Sequence, residues 1–323
     1  MANPGVSELL TTTLFNMEGE MQDGVADNVP LFYLIKKDGL KKTVPGGFEL
    51  REPITYAENS TATFIEGYDP VDTTPQDVMT AFRYQPKEMV VSVSISKREE
   101  NMNSGNMEQL FDLISERIDN AKTSMINLFD TGLFSDGTSF SGKQIGGLRY
   151  LFPTSNTTGT IGEIPRSGNT FAQHYSRSTL TSLGVARSAA NIKGELNTVS
   201  NAVVSGTDKV TDYLAGDTDY NFLLEALQSQ QIFEDPDLAN AGFTSLKYRG
   251  ANFHLCGGLG GNIPSGYIWG VNRRTLRLKV YKGSDMVSLP ARTPTNQLAE
   301  IRLIYWMGNL TCKDPRKNAV LSA

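Results

Sequence analysis

Cysteine, histidine and tryptophan each occur only twice among the 323 residues. Cys256 and Cys312 lie far apart and outside any CxxC spacing, which excludes a disulfide framework and a structural zinc knot and fits a reducing compartment. His174 and His254 stand in no catalytic or ligand pattern. His254 and Cys256 alternate along an expected strand and share a face, but two ligands do not make a metal site, so no metal and no cofactor is expected. Positive charge is not in excess: 30 Lys and Arg face 35 Asp and Glu, a formal charge of -5, which excludes wholesale electrostatic binding of nucleic acid. The cluster Lys36, Lys37, Lys41 and Lys42 reads as a solvated loop. No apolar run approaches the ~18 residues of a membrane span, and no basic-then-apolar leader opens the chain. The Asn-x-Ser/Thr triplets at Asn59, Asn156 and Asn309 are therefore read as chance matches. The glycine run 257–261 lacks the Gly-Lys-Ser/Thr of a phosphate loop and reads as a turn. No segment repeats at a fixed period, and no pair of carboxylates is singled out for acid–base work, so the chain is not expected to be an enzyme.

What is present is patterning. Leu110, Ile114, Ile118, Ala121, Met125 and Leu128 recur at steps of three and four, while Asp112, Glu116, Asp119 and Lys122 fall mostly elsewhere. That spacing predicts a helix over 106–131, capped by Asn106, with Glu108 at its positive end and Gly132 and Asp136-Gly137 closing it. Such a helix is roughly 37 Å long. The turn residues Ser135-Asp136-Gly137-Thr138 follow, and then Ile145-Gly146-Gly147-Leu148.

Ahead of the helix, residues 48–56 and 61–68 alternate around the turn chemistry of Glu58-Asn59-Ser60, which predicts two strands joined by a tight turn. This hairpin carries Glu49, Glu52, Glu58 and Glu66 but few large apolar side chains. A two-stranded hairpin is marginal alone, so packing elsewhere must support it. Residues 78–84 and 89–96 read as extended, the latter with β-branched residues on one face and serines on the other. Residues 1–45 carry few anchors, Leu9, Leu10, Leu14 and Phe15 and then 29–35, and read as an arm that needs a surface to lie on. Beyond the helix, 135–170 is loop-rich. A helical region over 179–204 is weakened by Gly184 and Gly194, and a better helix covers 219–231 with a cap at Asp217 or Asp219. Strands are expected at 245–248, 251–256, 267–271, 276–281 and 298–308. The class is α+β.

The order of these features resembles the major capsid proteins of tailed bacteriophages, the family with the Hong Kong 97-type fold. The long helix running into Ser135-Asp136-Gly137-Thr138 and Gly146-Gly147-Leu148 is similar to that family's spine helix and its turn. Gln231-Ile232-Phe233, Asp235-Pro236 and Ala241-Gly242-Phe243 resemble a loop of its axial domain, and Trp306-Met307-Gly308-Asn309-Leu310-Thr311 resembles its closing strand. The resemblance covers most of the chain. It implies an N-terminal arm over 1–47, an extended loop over 48–90, and a peripheral domain over 91–149 with spine helix 106–131. An axial domain over 150–284, a return to the peripheral domain over 285–312 and a C-terminal tail over 313–323 complete it.

The resemblance implies a shell subunit assembling through hexamers and pentamers into an icosahedral capsid around double-stranded DNA, made in a bacterial cytoplasm and residing in the virion. An encapsulin-like compartment shell of the same fold is the alternative. Partners are then other copies of the chain, a separate scaffolding protein and a portal, with DNA touched weakly and without sequence specificity, and no membrane. Contacts between subunits are expected from Arg51, Glu52 and Glu66 on the loop, Glu116 and Arg117 on the helix, and Asp285, Arg292 and Asn296 in the segment 284–297. Some relatives crosslink their shells through a loop lysine and an asparagine. Here no lysine occurs between Lys42 and Lys87, although Asn296 lies near where the partner asparagine falls, so no such crosslink is expected.

Overall fold

The computed structural model describes residues 30–99, 107–227, 245–256 and 262–323. Two sheets organise these residues. In the first, β1 (Lys41–Val44) pairs parallel with β12 (Leu276–Tyr281), which pairs antiparallel with β14 (Ala299–Cys312). β14 is long enough to serve further partners: its first part pairs with all of β4 (Lys87–Ser96), from Ala299↔Ser96 to Gly308↔Lys87, and with β13 (Val287–Ser288). Alternation along β4 buries Met89, Val93 and Ile95.

Two helices pack here, α1 (Pro30–Lys37) and α2 (Met107–Phe134). Of the positions that define the apolar stripe of α2, Ile118, Ala121 and Met125 are buried and Leu128 is half-buried; Asn106 and the side chains of Leu110 and Ile114 lie outside the described residues. Phe129 joins three elements, its ring edge-on to Phe32 of α1 at 5.4 Å and to Trp306 of β14 at 5.1 Å. Each of these rings is almost fully buried, worth about 2–3 kcal/mol apiece in apolar burial. α1 therefore finds its surface within its own chain, through Leu31, Phe32 and Ile35.

α2 continues past Gly132 to Phe134, and the turn motif after it closes the end. The Ser135 hydroxyl donates to the Ile145 carbonyl at 2.8 Å, and Asp136 Oδ1 accepts from the amide and the hydroxyl of Thr138. Gly147 then begins α3 (Leu148–Leu151) directly against the last turn of α2: a Cβ there would lie 2.3 Å from the Leu133 carbonyl oxygen. The Gly-Gly-Leu spacing thus lets one helix start where another stops.

The second sheet has the order β7-β15-β11-β8-β10-β9, comprising β7 (Tyr175–Ser178), β8 (Asp212–Ala215), β9 (Ser245–Tyr248), β10 (Ala251–Leu255), β11 (Tyr267–Val271) and β15 (Ala319–Ser322). Its apolar side packs on α5 (Ile192–Ala202) and α6 (Asp217–Leu227) through Ile192, Leu196, Val199, Tyr220 and Leu223. A short α4 (Thr179–Leu183) precedes α5. Gly184, at φ 70°, ends α4, so the helical region expected over 179–204 is split at one of its two glycines.

Three expectations need correction. Residues 61–68 form no strand: β2 (Leu50–Thr55) pairs instead with β3 (Met79–Tyr84), and the connection between them is a long loop. Residues 313–323, expected as a tail, include β15, a buried strand between β7 and β11. Residues 276–281, assigned to the axial part, lie in the first sheet as β12. The motifs over 231–243 and the glycine run 257–261 lie outside the described residues. The remaining pair, β5 (Thr160–Ile161) and β6 (Ile164–Pro165), makes a small hairpin beside β3, where the Gly162 carbonyl accepts from the Arg83 amide at 2.9 Å.

Candidate inter-subunit surfaces

The β2–β3 hairpin has a buried root and an exposed tip. At the root, alternation turns Leu50 and Ile54 inward with Phe82 and Tyr84 of the partner strand. Tyr84 donates to the Cys312 carbonyl at 3.0 Å, and Phe82 and Tyr56 face Phe171 at 6.3 and 5.4 Å between ring centres. Glu52 shares this inward face. Only 4% exposed, its carboxylate accepts from Lys279 Nζ at 2.8 Å and from the Thr311 hydroxyl at 2.9 Å. The carboxylate expected to reach a neighbour is thus spent within its own chain, because the period-2 alternation that exposes Arg51 turns Glu52 inward.

The tip behaves oppositely. From residue 57 to 77 every residue except Thr61 is exposed, including Phe64, Ile65, Tyr68 and Val71, and Met79 stands exposed at the neck. Phe64 and Tyr68 are as exposed as in an extended chain, at 105% and 107%. Local polar turns shape this segment. Asn59 Oδ1 accepts from the Thr61 amide at 3.0 Å, Asp69 Oδ2 from the Glu66 amide at 2.9 Å, and Asp72 Oδ1 from Thr74, whose hydroxyl and amide hold the Asp72 carboxyl below its ordinary range.

The other predicted contact residues are dispersed. Arg51 lies outside the root, 3.2 Å from Glu49, and Glu66 sits near the tip. Glu116 and Arg117 border a groove of about 780 Å³ between α2 and β4, with Asn120, Ser94 and Gln297. Arg117 is held there, donating to the Ser94 carbonyl at 2.7 Å and to Glu99 at 2.6 Å, and this contact is the main cause holding the Glu99 carboxyl down at about 2. Asp285 pairs with Lys41. Arg292 is bridged by its backbone to Ile301, and Arg292 and Asn296 are exposed on the segment leading to β14, where Leu298 is also exposed. The structure therefore brings Glu116 and Arg117 to one groove, keeps Arg292 and Asn296 on one exposed segment, and turns Glu52 into the interior.

The residues with chemical potential are enclosed. His254 Nε2 lies 2.8 Å from Asp212, which also meets Arg273, itself 2.9 Å from Asp38. His174 accepts at Nδ1 from Arg166 at 3.2 Å and donates at Nε2 to the Pro153 carbonyl at 2.7 Å. Burial and the Arg166 charge push its pKa down to about 3, so it is neutral. Burial pushes both thiols, Cys256 and Cys312, well up. Among the described residues no group of three or more His, Cys, Asp or Glu is placed to hold a metal ion, and no helix is long and apolar enough to cross a membrane.

Sequence reasoning missed two features: the apolar set at the tip and a groove at the root, lined by Arg274, Lys313, Arg316 and Lys317 beside Met79. The first was readable as Phe64, Ile65, Tyr68 and Val71 in a segment otherwise full of turn residues. The second joins turns distant in sequence, which no local pattern brings together.

No protein-family model and no curated protein matches the chain. Solved structures do. The cyanophage A-1(L) capsid subunit superposes with a TM-score of 0.64 at 14% identity, over 88% of this chain and 91% of that one. The structure from Mycobacterium phage Bobi follows with a TM-score of 0.55 at 12% identity, over 88% of each chain. The SrpI encapsulin of Synechococcus elongatus gives 0.52 at 11% identity, over 89% of this chain and 86% of that one. The chain has the mixed helix-and-sheet fold of phage capsid proteins, the fold its sequence resembles.

Proposed function

We propose that this chain is a major capsid protein, the repeating subunit of an icosahedral shell that encloses the double-stranded DNA of a tailed bacteriophage. The observation that carries the reading is the hairpin tip, which projects Phe64, Ile65, Tyr68 and Val71 into solvent on an arm rooted in the body by Leu50, Phe82 and Tyr84. Large apolar side chains left exposed together on one loop mark a surface that another molecule covers, and a lone subunit has no use for an arm of this kind. A second copy supplies the cover. Arm on one copy and receiving surface on the next form a heterologous contact, which closes into rings when the rotation between copies allows, as hexamers and pentamers require.

In this reading Arg51, Glu66, Glu116, Arg292 and Asn296 lie at or near boundaries between copies, whereas Glu52, Arg117 and Asp285 act chiefly inside one copy. A scaffolding protein, a portal and weakly held DNA are the further partners, with assembly in the bacterial cytoplasm. The first experiment is negative-stain microscopy of the purified chain, alone and with proteins encoded beside its gene. Shells, sheets or ring-shaped capsomers are expected, and monomers under every condition would reject the reading. The likeness to an encapsulin motivates the alternative of a compartment shell. Nuclease-protected double-stranded DNA within particles isolated from a producing culture supports the capsid; an enclosed enzyme in its place supports the compartment.

A further inference from the structure

The arm leaves the body beside a loop that is built like a bracket. Residues 159–172 carry the β5–β6 hairpin, whose two turn residues, Gly162 and Glu163, both hold positive φ, at 52° and 68°, as a type I′ turn requires. This turn meets β3. The Arg83 amide donates to the Gly162 carbonyl at 2.9 Å, the Gly162 amide donates to the Tyr150 hydroxyl at 3.3 Å, and a Cβ on Gly162 would lie 2.6 Å from the Phe82 Cβ. Further along the same loop, Phe171 faces Phe82 at 6.3 Å and Tyr56 at 5.4 Å between ring centres. Tyr56 stands at the neck, where its hydroxyl donates to the Asp77 carbonyl and ties the two sides of the arm together. The arm is thus held at two heights, root and neck.

A single fully buried side chain organises the bracket. Arg166 donates through Nη1 to the Ala172 carbonyl at 3.0 Å and to His174 Nδ1 at 3.2 Å, and through Nη2 to the carbonyls of Tyr150 at 3.2 Å and Leu151 at 2.7 Å. Its own amide donates to the Gly159 carbonyl, and its carbonyl accepts from Gln173 Nε2. The acceptors of its guanidinium are carbonyls and a neutral imidazole, with no carboxylate among them. Burying a cation among neutral acceptors costs free energy, and what that cost secures here is geometry. Both ends of the loop are pinned to α3, the helix that follows α2.

We propose that loop 159–172 sets the angle at which the β2–β3 arm leaves the body, and with it the curvature of a shell built from this chain. Gly162 and Phe171 are the positioning residues, and Arg166 is their anchor. A lever touched at one point can pivot, whereas one touched at two heights cannot turn without breaking a contact. The lever is long. Residues 57–77, folded back on themselves, reach at most about 33 Å, so a swing of about 10° at the neck moves the tip by about 6 Å, roughly the width of a side chain. A shift of that size alters the angle between copies in an assembly without altering any residue of the tip.

The bracket is tested on the disassembled full chain, so its failure and that of the shell reading, on which the curvature rests, are distinguishable. Nitroxide labels on Thr55→Cys in β2 and Asn127→Cys in α2, both exposed sites, report the arm's direction by pulsed electron resonance, against a silent background because both natural thiols are buried. The otherwise native chain is expected to give one narrow distance distribution, Phe171→Ala to broaden it about twofold or more, Gly162→Ala to displace its mean, and Phe171→Tyr to leave it unchanged. Val199→Ala, in the core between α5 and the second sheet, is the control: it lowers the urea midpoint but should leave the distribution alone. A Phe171→Ala distribution that matches the parent's, or one that Val199→Ala reproduces, overturns the proposal. In assembled material Phe171→Ala should spread the particle diameters seen in negative stain, and Phe171→Tyr should not. Particles of parental diameter from a chain whose arm has swung would overturn the link to curvature. A parent that never assembles rejects the shell reading instead, while the resonance measurement still decides the bracket.

Discussion

Glu52 shows how one position changes meaning between sequence and structure. As a residue in an acidic hairpin it reads as a contact for a neighbour, but register places it inward, against Lys279 and Thr311. Removing one partner of a buried ion pair leaves the other charged and unmatched, which costs more than the pair contributed. Glu52→Leu is therefore expected to lower unfolding stability by about 3 kcal/mol, and Glu52→Leu with Lys279→Met to recover most of it. Urea denaturation of the disassembled chain checks this. A Glu52→Leu chain as stable as the parent that only failed to assemble would return Glu52 to the inter-subunit surface. The cysteines give a simpler expectation. Cys256 and Cys312 are buried and their thiols are pushed up, so the thiolate that alkylating reagents require is scarce. Iodoacetamide should leave both unmodified in the native chain and modify both in denaturant, as read by intact mass.

Elements were legible where a period ran long enough to count. The stripe Ile118, Ala121, Met125 announced α2, and the alternation over 298–308 announced β14, although β14 extends to Cys312. β15 was not legible: Ala319, Val320 and Leu321 are too few to carry a period, and only the two flanking strands make them a core strand. The partner of β2 was hidden because turn residues over 58–60 invite a short hairpin, whereas the buried faces of Phe82 and Tyr84 select the distant strand. Where α2 ends, sequence and packing agree on glycine. Gly147→Ala places a methyl group 2.3 Å from a carbonyl oxygen of α2, and backbone cannot yield as a side chain can. A loss of about 3 kcal/mol or more is expected in urea unfolding, or failure to accumulate folded protein. Near the start of α2, the pair Arg117–Glu99 adds an acid-dependent term. The Glu99 pKa is depressed from 4.5 to about 2, so its contribution is present above about pH 4.5 and is lost as pH falls toward 2. The pair is partly solvated, and the effect is about 0.5 kcal/mol. Arg117→Met should narrow its deficit against the parent as pH drops through that window, measured by urea midpoints; a deficit independent of pH would assign Arg117 to packing alone.

For the whole molecule the decisive relation is between a body that satisfies itself and an arm that does not. The two sheets and their helices bury Trp269, Trp306, Phe129 and Phe253 completely, whereas the hairpin tip exposes nearly all it has. Stability and assembly should therefore separate under mutation. Phe64→Ser with Tyr68→Ser removes apolar surface that is fully exposed on the subunit, so the urea midpoint of the disassembled protein should stay within about 0.5 kcal/mol of the parent while assembly is lost or needs much higher concentration. Equal loss of both would mean that the tip supports the fold of its own subunit. The chemistry of the arm also decides how a shell of such subunits is held. A covalent link between a loop amine and a neighbour's carboxamide needs a lysine on the arm, and residues 43–86 contain none. On the proposed shell reading, cohesion then rests on burial of the tip, which denaturant and detergent reverse. Particles boiled in detergent should run as a single band at the mass of one chain. A ladder of multiples that persists under reducing conditions would require a nucleophile from elsewhere in the chain, and mass mapping of the joined peptides would identify it.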